Sequence, residues 1–128
     1  MRESNVDLSV SIAQNSNLVF ELFHVIDLSD WQALKNIFHE DILYERPGYA
    51  KFCGLDRLIQ FYQRERIIAS GTHNINKVIT EEDSGACWGH FIGVGKNGSS
   101  IDELFAEAYS FEDGKIRTRR SYFFRPAV

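Results

Sequence analysis

An α+β fold is what this sequence predicts, and three observations predict it. Apolar residues recur at helical spacing through the first half of the chain. From Gly71 onward the pattern changes to the two-residue alternation of strands. The strand segments are separated by glycine-containing turns, "EEDSG", "KNGS" and "EDGK". Helices first and a strand meander second is the α+β arrangement. At 128 residues the chain is expected to form a single domain, 1–128, with its core at about 12–125.

The elements follow in order. "SIAQNSNLVFELFHVID" reads as a helix, because Leu18, Leu22 and Val25/Ile26 share a face that Val19 and Phe23 widen. "SDWQALKNIF" restarts a helix. Ser29 followed by Gln32 has the spacing of a capping box, and Trp31, Leu34, Ile37 and Phe38 form the apolar side. "ILYE" is a short strand stopped by Pro47 and Gly48. "GLDRLIQFYQRERI" is a third helix, apolar along Leu55, Leu58, Ile59 and Tyr62 and charged opposite. Four strands come next: "THNINKVIT", "ACWGHFIGV", "IDELFAEAYSF" and "IRTRRSYFF". An Asn-Gly turn joins the second to the third, and an Asp-Gly turn joins the third to the fourth.

Composition narrows the function classes. Hydrophobic content of 44% with 25% charge is that of an ordinary soluble domain, and 13% aromatics suits a core or pocket with large flat walls. Net charge is -4 with the basic residues dispersed, so no nucleic-acid partner is expected. No apolar run approaches the roughly 20 residues needed to cross a bilayer, and the N-terminus lacks the apolar centre of a signal peptide. Cys53 and Cys87 are too few for a disulfide framework and lack zinc-site spacing. Reduced thiols in a cytoplasmic protein are therefore expected.

With these turns, the order of elements resembles the nuclear-transport-factor-2-like fold. Within that fold the chain is similar to the SnoaL-like group, which includes polyketide cyclases, ketosteroid isomerase and scytalone dehydratase. The segments that carry the likeness are "VIDLSDWQALKNIFHEDILYERP", "GLDRLIQFY" and above all "AEAYSFEDGKIRTRRSYF". The resemblance implies a cone: three N-terminal helices packed on a curved, mostly antiparallel sheet, with a mouth that admits a small hydrophobic molecule. It also implies a homodimer through the outer face of the sheet, no cofactor and no metal.

The chemical positions are then read residue by residue. In the strand 101–111, Glu103, Phe105, Glu107 and Tyr109 share one face, while Leu104, Ala106, Ala108 and Ser110 share the other. By alternation alone the first set is as readily a wet face as a buried one. The resemblance places Glu107 at the catalytic aspartate of polyketide cyclases, which is also the protonated aspartate of ketosteroid isomerase. A carboxyl group inside an apolar cone resists ionisation and can donate or transfer a proton.

Arg46 stands where the isomerase has its base. Arginine stays protonated, so an isomerase using that base is not expected. It can pair with Glu103 or Glu107, grip a substrate carboxylate or stabilise an enolate; a structural pair, with Glu45 among its partners, is the alternative. His73 matches a catalytic histidine of scytalone dehydratase, although His24 replaces an aspartate of that enzyme's first helix. His90, with Trp88 and Ile92, matches inward positions of the isomerase by gapless counting, as do Arg119 and Phe123. Arg117, Arg119, Ser121 and Phe123 share one side of the last strand; the alternative is that the run "RTRR" is a solvated basic edge. Tyr44 shares the face of Arg46. His73, His90 and Glu107 have the ligand types of a metal triad, but the family implies none.

The expected activity is a cofactor-independent cyclisation, isomerisation or dehydration by proton transfer on a hydrophobic carbonyl compound. Glu107 is the acid/base, His73 or His90 its partner, and Arg46 the anchor. Tyr44, Trp88, Glu103, Phe105, Tyr109, Arg119 and Phe123 bind substrate. The competing expectation is a ligand-binding or assembly domain without chemistry. A filled cone with Glu107 and Arg46 tied only to each other favours that alternative. An open pocket with a histidine in reach of Glu107 favours catalysis.

Overall fold

A computed structural model describes residues 5–125. Helix α1 (Asn5–Asp27) buries Val19, Leu22, Phe23, Val25 and Ile26, the expected stripe. It ends in a Schellman motif: the Asp30 N–H bonds to the Val25 carbonyl (3.1 Å) and the Ser29 N–H to the Ile26 carbonyl (3.0 Å), with Ser29 at φ 57°. Ser29 is thereby used to end α1, and the expected capping box does not form. Trp31–Asn36 is a 3₁₀ turn with Asp30 at its N-cap and no side-chain cap bond.

Strand β1 (Phe38–Glu45) stops before Pro47 as expected, and a short β2 (Phe52–Cys53) hangs on its edge. Helix α2 (Leu55–Gln60) passes into a π turn over Phe61–Glu65, burying Leu58, Phe61 and Tyr62. The long strands β3 (Ile68–Thr80), β4 (Ser84–Gly95), β5 (Ser100–Glu112) and β6 (Lys115–Phe123) complete one six-stranded sheet in the order β2-β1-β6-β5-β4-β3. Every pairing is antiparallel except β1 with β6. Register shifts within β1–β6, β3–β4 and β5–β6 bend the sheet into an open curve with the helices on its inner side. The α+β cone is therefore the fold, with the second of the three expected helices reduced to the 3₁₀ turn.

The two hairpin turns decide which side chains enter the cone. Asp113 and Gly114 both have positive φ, and Glu112 pairs with Lys115, so the β5–β6 turn is the two-residue type its sequence predicts. The β4–β5 turn differs. The Gly95 N–H bonds to the Ser99 carbonyl (2.8 Å), and Gly98 alone of Lys96–Gly98 has positive φ, which is a three-residue loop. The extra residue sets Cys87, not Trp88, opposite Glu107. Among the described residues no helix is long and apolar enough to cross a membrane.

Candidate active site

Strand β5 alternates as its sequence predicts: Glu103, Phe105, Glu107 and Tyr109 are buried, while Leu104 and Ala108 are exposed. Strand β6 contributes Arg119 and Ser121, both buried, and half-buried Phe123 from the same face. Arg117 leaves that face at the β5–β6 irregularity and pairs with Glu112 (3.1 Å).

Glu107 and Arg119 form the polar centre. Arg119 donates to both carboxylate oxygens of Glu107, from Nε (2.7 Å) and Nη2 (2.8 Å). Tyr109 donates its hydroxyl to Oε1 (2.7 Å), and Ser121 donates to Oε2. All four in-plane acceptor directions of the carboxylate are filled. Burial is the largest influence on Glu107 and pushes its pKa up, but the Arg119 charge and the donors Arg119, Ser121 and Tyr109 outweigh it and hold it below the ordinary value. The expectation of a carboxyl that resists ionisation is thus corrected: a two-pronged guanidinium keeps it charged. Arg119 also donates to the Tyr62 hydroxyl (2.6 Å) and lies over the Tyr44 ring. The buried Cys87 thiol is pushed up to about 12, by burial first and then by the Glu107 charge, and is inert.

Arg46 and Tyr44 point inward as expected. The Arg46 guanidinium donates to the Tyr44 hydroxyl (3.0 Å), which shares a hydrogen bond with Ser121 (2.7 Å), and lies over the Phe61 and Phe123 rings. Arg46 therefore reaches Glu107 through Tyr44 and Ser121. Glu45 pairs outside the cone with Arg120 (2.8 Å) and takes no part. Glu103 accepts the Arg125 backbone N–H (3.0 Å) and pairs with its guanidinium (3.3 Å).

His73 is the histidine that enters the cone. The end of α1 sets Asp27 beside it: Asp27 Oδ1 lies 2.6 Å from Nδ1, and Oδ2 accepts the His73 backbone N–H (2.9 Å). A carboxylate there makes Nδ1 the donor and leaves Nε2 as acceptor. The Phe23, Phe91 and Phe105 rings pack around the imidazole. Gly71 and Gly93 leave room for the Phe91 ring, since a Cβ on either would lie 2.3 or 2.7 Å from it. Burial is the largest influence on His73 and lowers its pKa despite Asp27, so the ring is neutral near pH 7.

His90 and Trp88 are corrections. With Cys87 opposite Glu107, Trp88 and His90 point with Ala106 and Leu104 to the outer face. There His90 hydrogen-bonds to Asp102, and Trp88 is 44% exposed. Neither lines the cone, and the combination His73, His90 and Glu107 cannot meet on one ion. Among the described residues His39, Glu112 and Asp113 do bring ligand atoms within 4.8 Å of one another, at the surface and away from the cone.

The interior void is small, about 20 Å³, room for roughly one water. Arg46, Tyr62, Arg66, His73, Phe91 and Glu107 are among its walls. The sequence reading missed Asp27 and Arg66, and took Tyr62 only as part of an apolar helix face and Ser121 only as a neighbour of Arg119. Asp27 had a signal: it lies one helical turn beyond His24, where a first-helix acid was missing. Arg66 had none beyond membership of a charged helix face.

Residues 19–119 match the sequence profile of a family described as the SnoaL-like domain. Solved structures agree on the fold. An NTF2-like protein of unknown function from Burkholderia pseudomallei is 19% identical, with 86% of this chain and 90% of that chain covered and a TM-score of 0.78. An LEH-like epoxide hydrolase of M. tuberculosis is 14% identical over 88% and 84%, with a TM-score of 0.77. A SnoaL-like polyketide cyclase assigned in Jannaschia is 14% identical over 97% and 91%, with a TM-score of 0.77. No curated protein matches the chain.

Proposed function

The chain belongs to the SnoaL-like domain family, and we propose that it binds a small hydrophobic carbonyl compound and removes a proton from the carbon beside the carbonyl. Isomerisation, cyclisation and dehydration of such compounds can all begin with that step. The observation that carries the reading is the Asp27–His73 pair on the wall of the void. Asp27 holds the ring by two bonds, burial keeps it neutral, and Nε2 has no hydrogen bond among the described residues. A neutral imidazole oriented by a carboxylate is a competent general base. Arg46 then stabilises the enolate oxygen, held in place by the Tyr44 hydroxyl, whose own proton goes to Ser121. Glu107 fixes Arg119 and Ser121 rather than moving the proton. Phe105 and Phe123 are walls.

Two relatives in the fold, an epoxide hydrolase and a polyketide cyclase, have enzyme names, which fits a catalytic cone. A second reading, a binding or assembly domain without chemistry, is favoured by the void of about 20 Å³. In either reading a second copy of the chain packs on the outer sheet face, where Trp88, Ile92, Leu104 and Tyr122 are about half exposed.

Deuterium exchange at the acidic carbon of 2-tetralone, cyclohexane-1,3-dione and related ketones in D2O, followed by NMR, separates the two. Catalysed exchange that falls about 100-fold or more in His73→Asn supports the base. Exchange no faster than buffer across the set, or unchanged by the substitution, removes it.

A further inference from the structure

A groove of about 470 Å³ lies at the mouth of the cone and shares two residues, Arg66 and Glu103, with the interior void. Its charged lining consists of Arg64, Arg66, Lys96 and Arg125 against Glu65, Asp102 and Glu103. Each of those carboxylates has a cationic or imidazole partner: Glu65 is held by Arg57 (2.6 Å), Asp102 by His90, and Glu103 by Arg125 (3.3 Å).

Arg66 is different. It follows the π turn, its backbone N–H bonds to the Phe61 carbonyl (2.9 Å), and its extended backbone turns the side chain inward. It is 6% exposed, and its Nε is buried with no hydrogen-bond partner. No carboxylate among the described residues pairs with it. Its neighbours are aromatic faces, Tyr62 at 5.4 Å and Phe91 at 5.9 Å. A buried guanidinium without an anion is costly. It also presents a planar fork of donors matched to a carboxylate.

We propose that Arg66 is the receptor for the carboxylate of a small hydrophobic acid, which enters through the groove with its apolar body against Ile67 and Ile101. The inference rests on the cone being a small-molecule site and names the class of molecule. It also places the ligand for chemistry. Arg66 and His73 both line the interior void, with the Phe91 ring centre 5.9 Å from the Arg66 guanidinium carbon and 4.5 Å from the His73 ring centre, so an acid held on Arg66 shares that void with the proposed base. Glu103, the acid nearest the junction, is neutralised by Arg125 and does not repel the ligand. Arg64 and Lys96, on the outer lining, draw anions towards the mouth.

The test uses a matched pair of probes, 2-naphthoate and 2-naphthamide, titrated into the full chain by calorimetry. The acid should bind about tenfold tighter or better, and Arg66→Gln should abolish the preference. In the unaltered protein the Arg66 Nε–Hε NMR resonance should move with naphthoate and not with naphthamide, a readout independent of how the variant folds. Equal affinities, no binding of either probe, a stationary Arg66 resonance or a preference retained by Arg66→Gln each overturns the proposal. His73→Asn separates the two readings. Loss of proton exchange with the acid preference intact supports both. Exchange indifferent to His73 with the preference intact sinks the base alone, and His73-dependent exchange without any acid preference sinks the Arg66 receptor alone.

Discussion

Glu107→Gln tests the centre of the cone. The substitution preserves size and removes one charge. Glu107 is 4% exposed and Arg119 3% exposed, and two of the four bonds on the carboxylate come from that guanidinium. Glutamine leaves Arg119 a buried cation without a counter-charge, and breaking a buried pair from one side costs about 3–5 kcal/mol. That is a large share of the roughly 5–15 kcal/mol that holds a domain folded. For a chain of this length it corresponds to a fall in Tm of roughly 10–25 °C. Urea unfolding followed by circular dichroism should show a lower midpoint with an unchanged slope. Arg119→Met on the Glu107→Gln background should recover part of the loss, because the stranded charge is gone. The acid limb has a definite sign. The folded pKa of Glu107 lies below its ordinary 4.5, so its stabilisation is complete above that value and is lost as pH falls below it towards the folded pKa. A cost of less than about 1 kcal/mol, the range of exposed pairs, or strictly additive single and double variants, would refute the reasoning.

Other outcomes follow from the same geometry. The His73 ring, followed by NMR, should titrate below 6.5, and Asp27→Asn should lower it further, since that hydrogen bond and charge both favour the protonated ring. The neutral ring's contribution to stability is therefore present above about 6.5 and declines as pH drops through the folded value; a wild-type midpoint above 6.5 contradicts the burial argument. Leu104→Glu puts a charge on the outer sheet face, where Leu104 is 52% exposed. It should convert the proposed dimer to monomer in light scattering while leaving the cone folded; a wild type that is itself monomeric, or a variant as dimeric as the wild type, would remove the proposed interface.

The sequence was most legible where a single period decides. Strand β5 alternates without interruption from Ser100 to Phe111, so one correctly placed residue fixes the inward set Glu103, Phe105, Glu107 and Tyr109. Strand β4 was misread because its face depends on one loop residue. Had Asn97-Gly98 been a two-residue loop, Lys96 would have faced Ser99 and Trp88 would have faced Glu107. The 3₁₀ turn was hidden for a related reason: Ser29 has the residue type of an N-cap but is consumed by the end of α1. Partner choice was the least legible. Glu107 has several arginines within plausible reach by sequence, and only the pairing of Tyr109 with Arg119 across β5 and β6 selects among them.

That selection bears on which group can take a proton. For Glu107 to accept one, it would surrender a charge-assisted bond to Arg119 and leave a buried guanidinium without its anion, an addition of several kcal/mol to any barrier, about what breaking the pair costs. His73 faces no such conflict. Burial keeps it neutral at rest, and the Asp27 carboxylate on Nδ1 stabilises the imidazolium once Nε2 is protonated. The negative charge left on the substrate would then meet Arg46 or Arg66 rather than a second carboxylate, since Glu107 and Glu103 are each engaged by an arginine of their own. If the cone is catalytic, its base belongs on β3 and its carboxylate on β5 belongs to the scaffold.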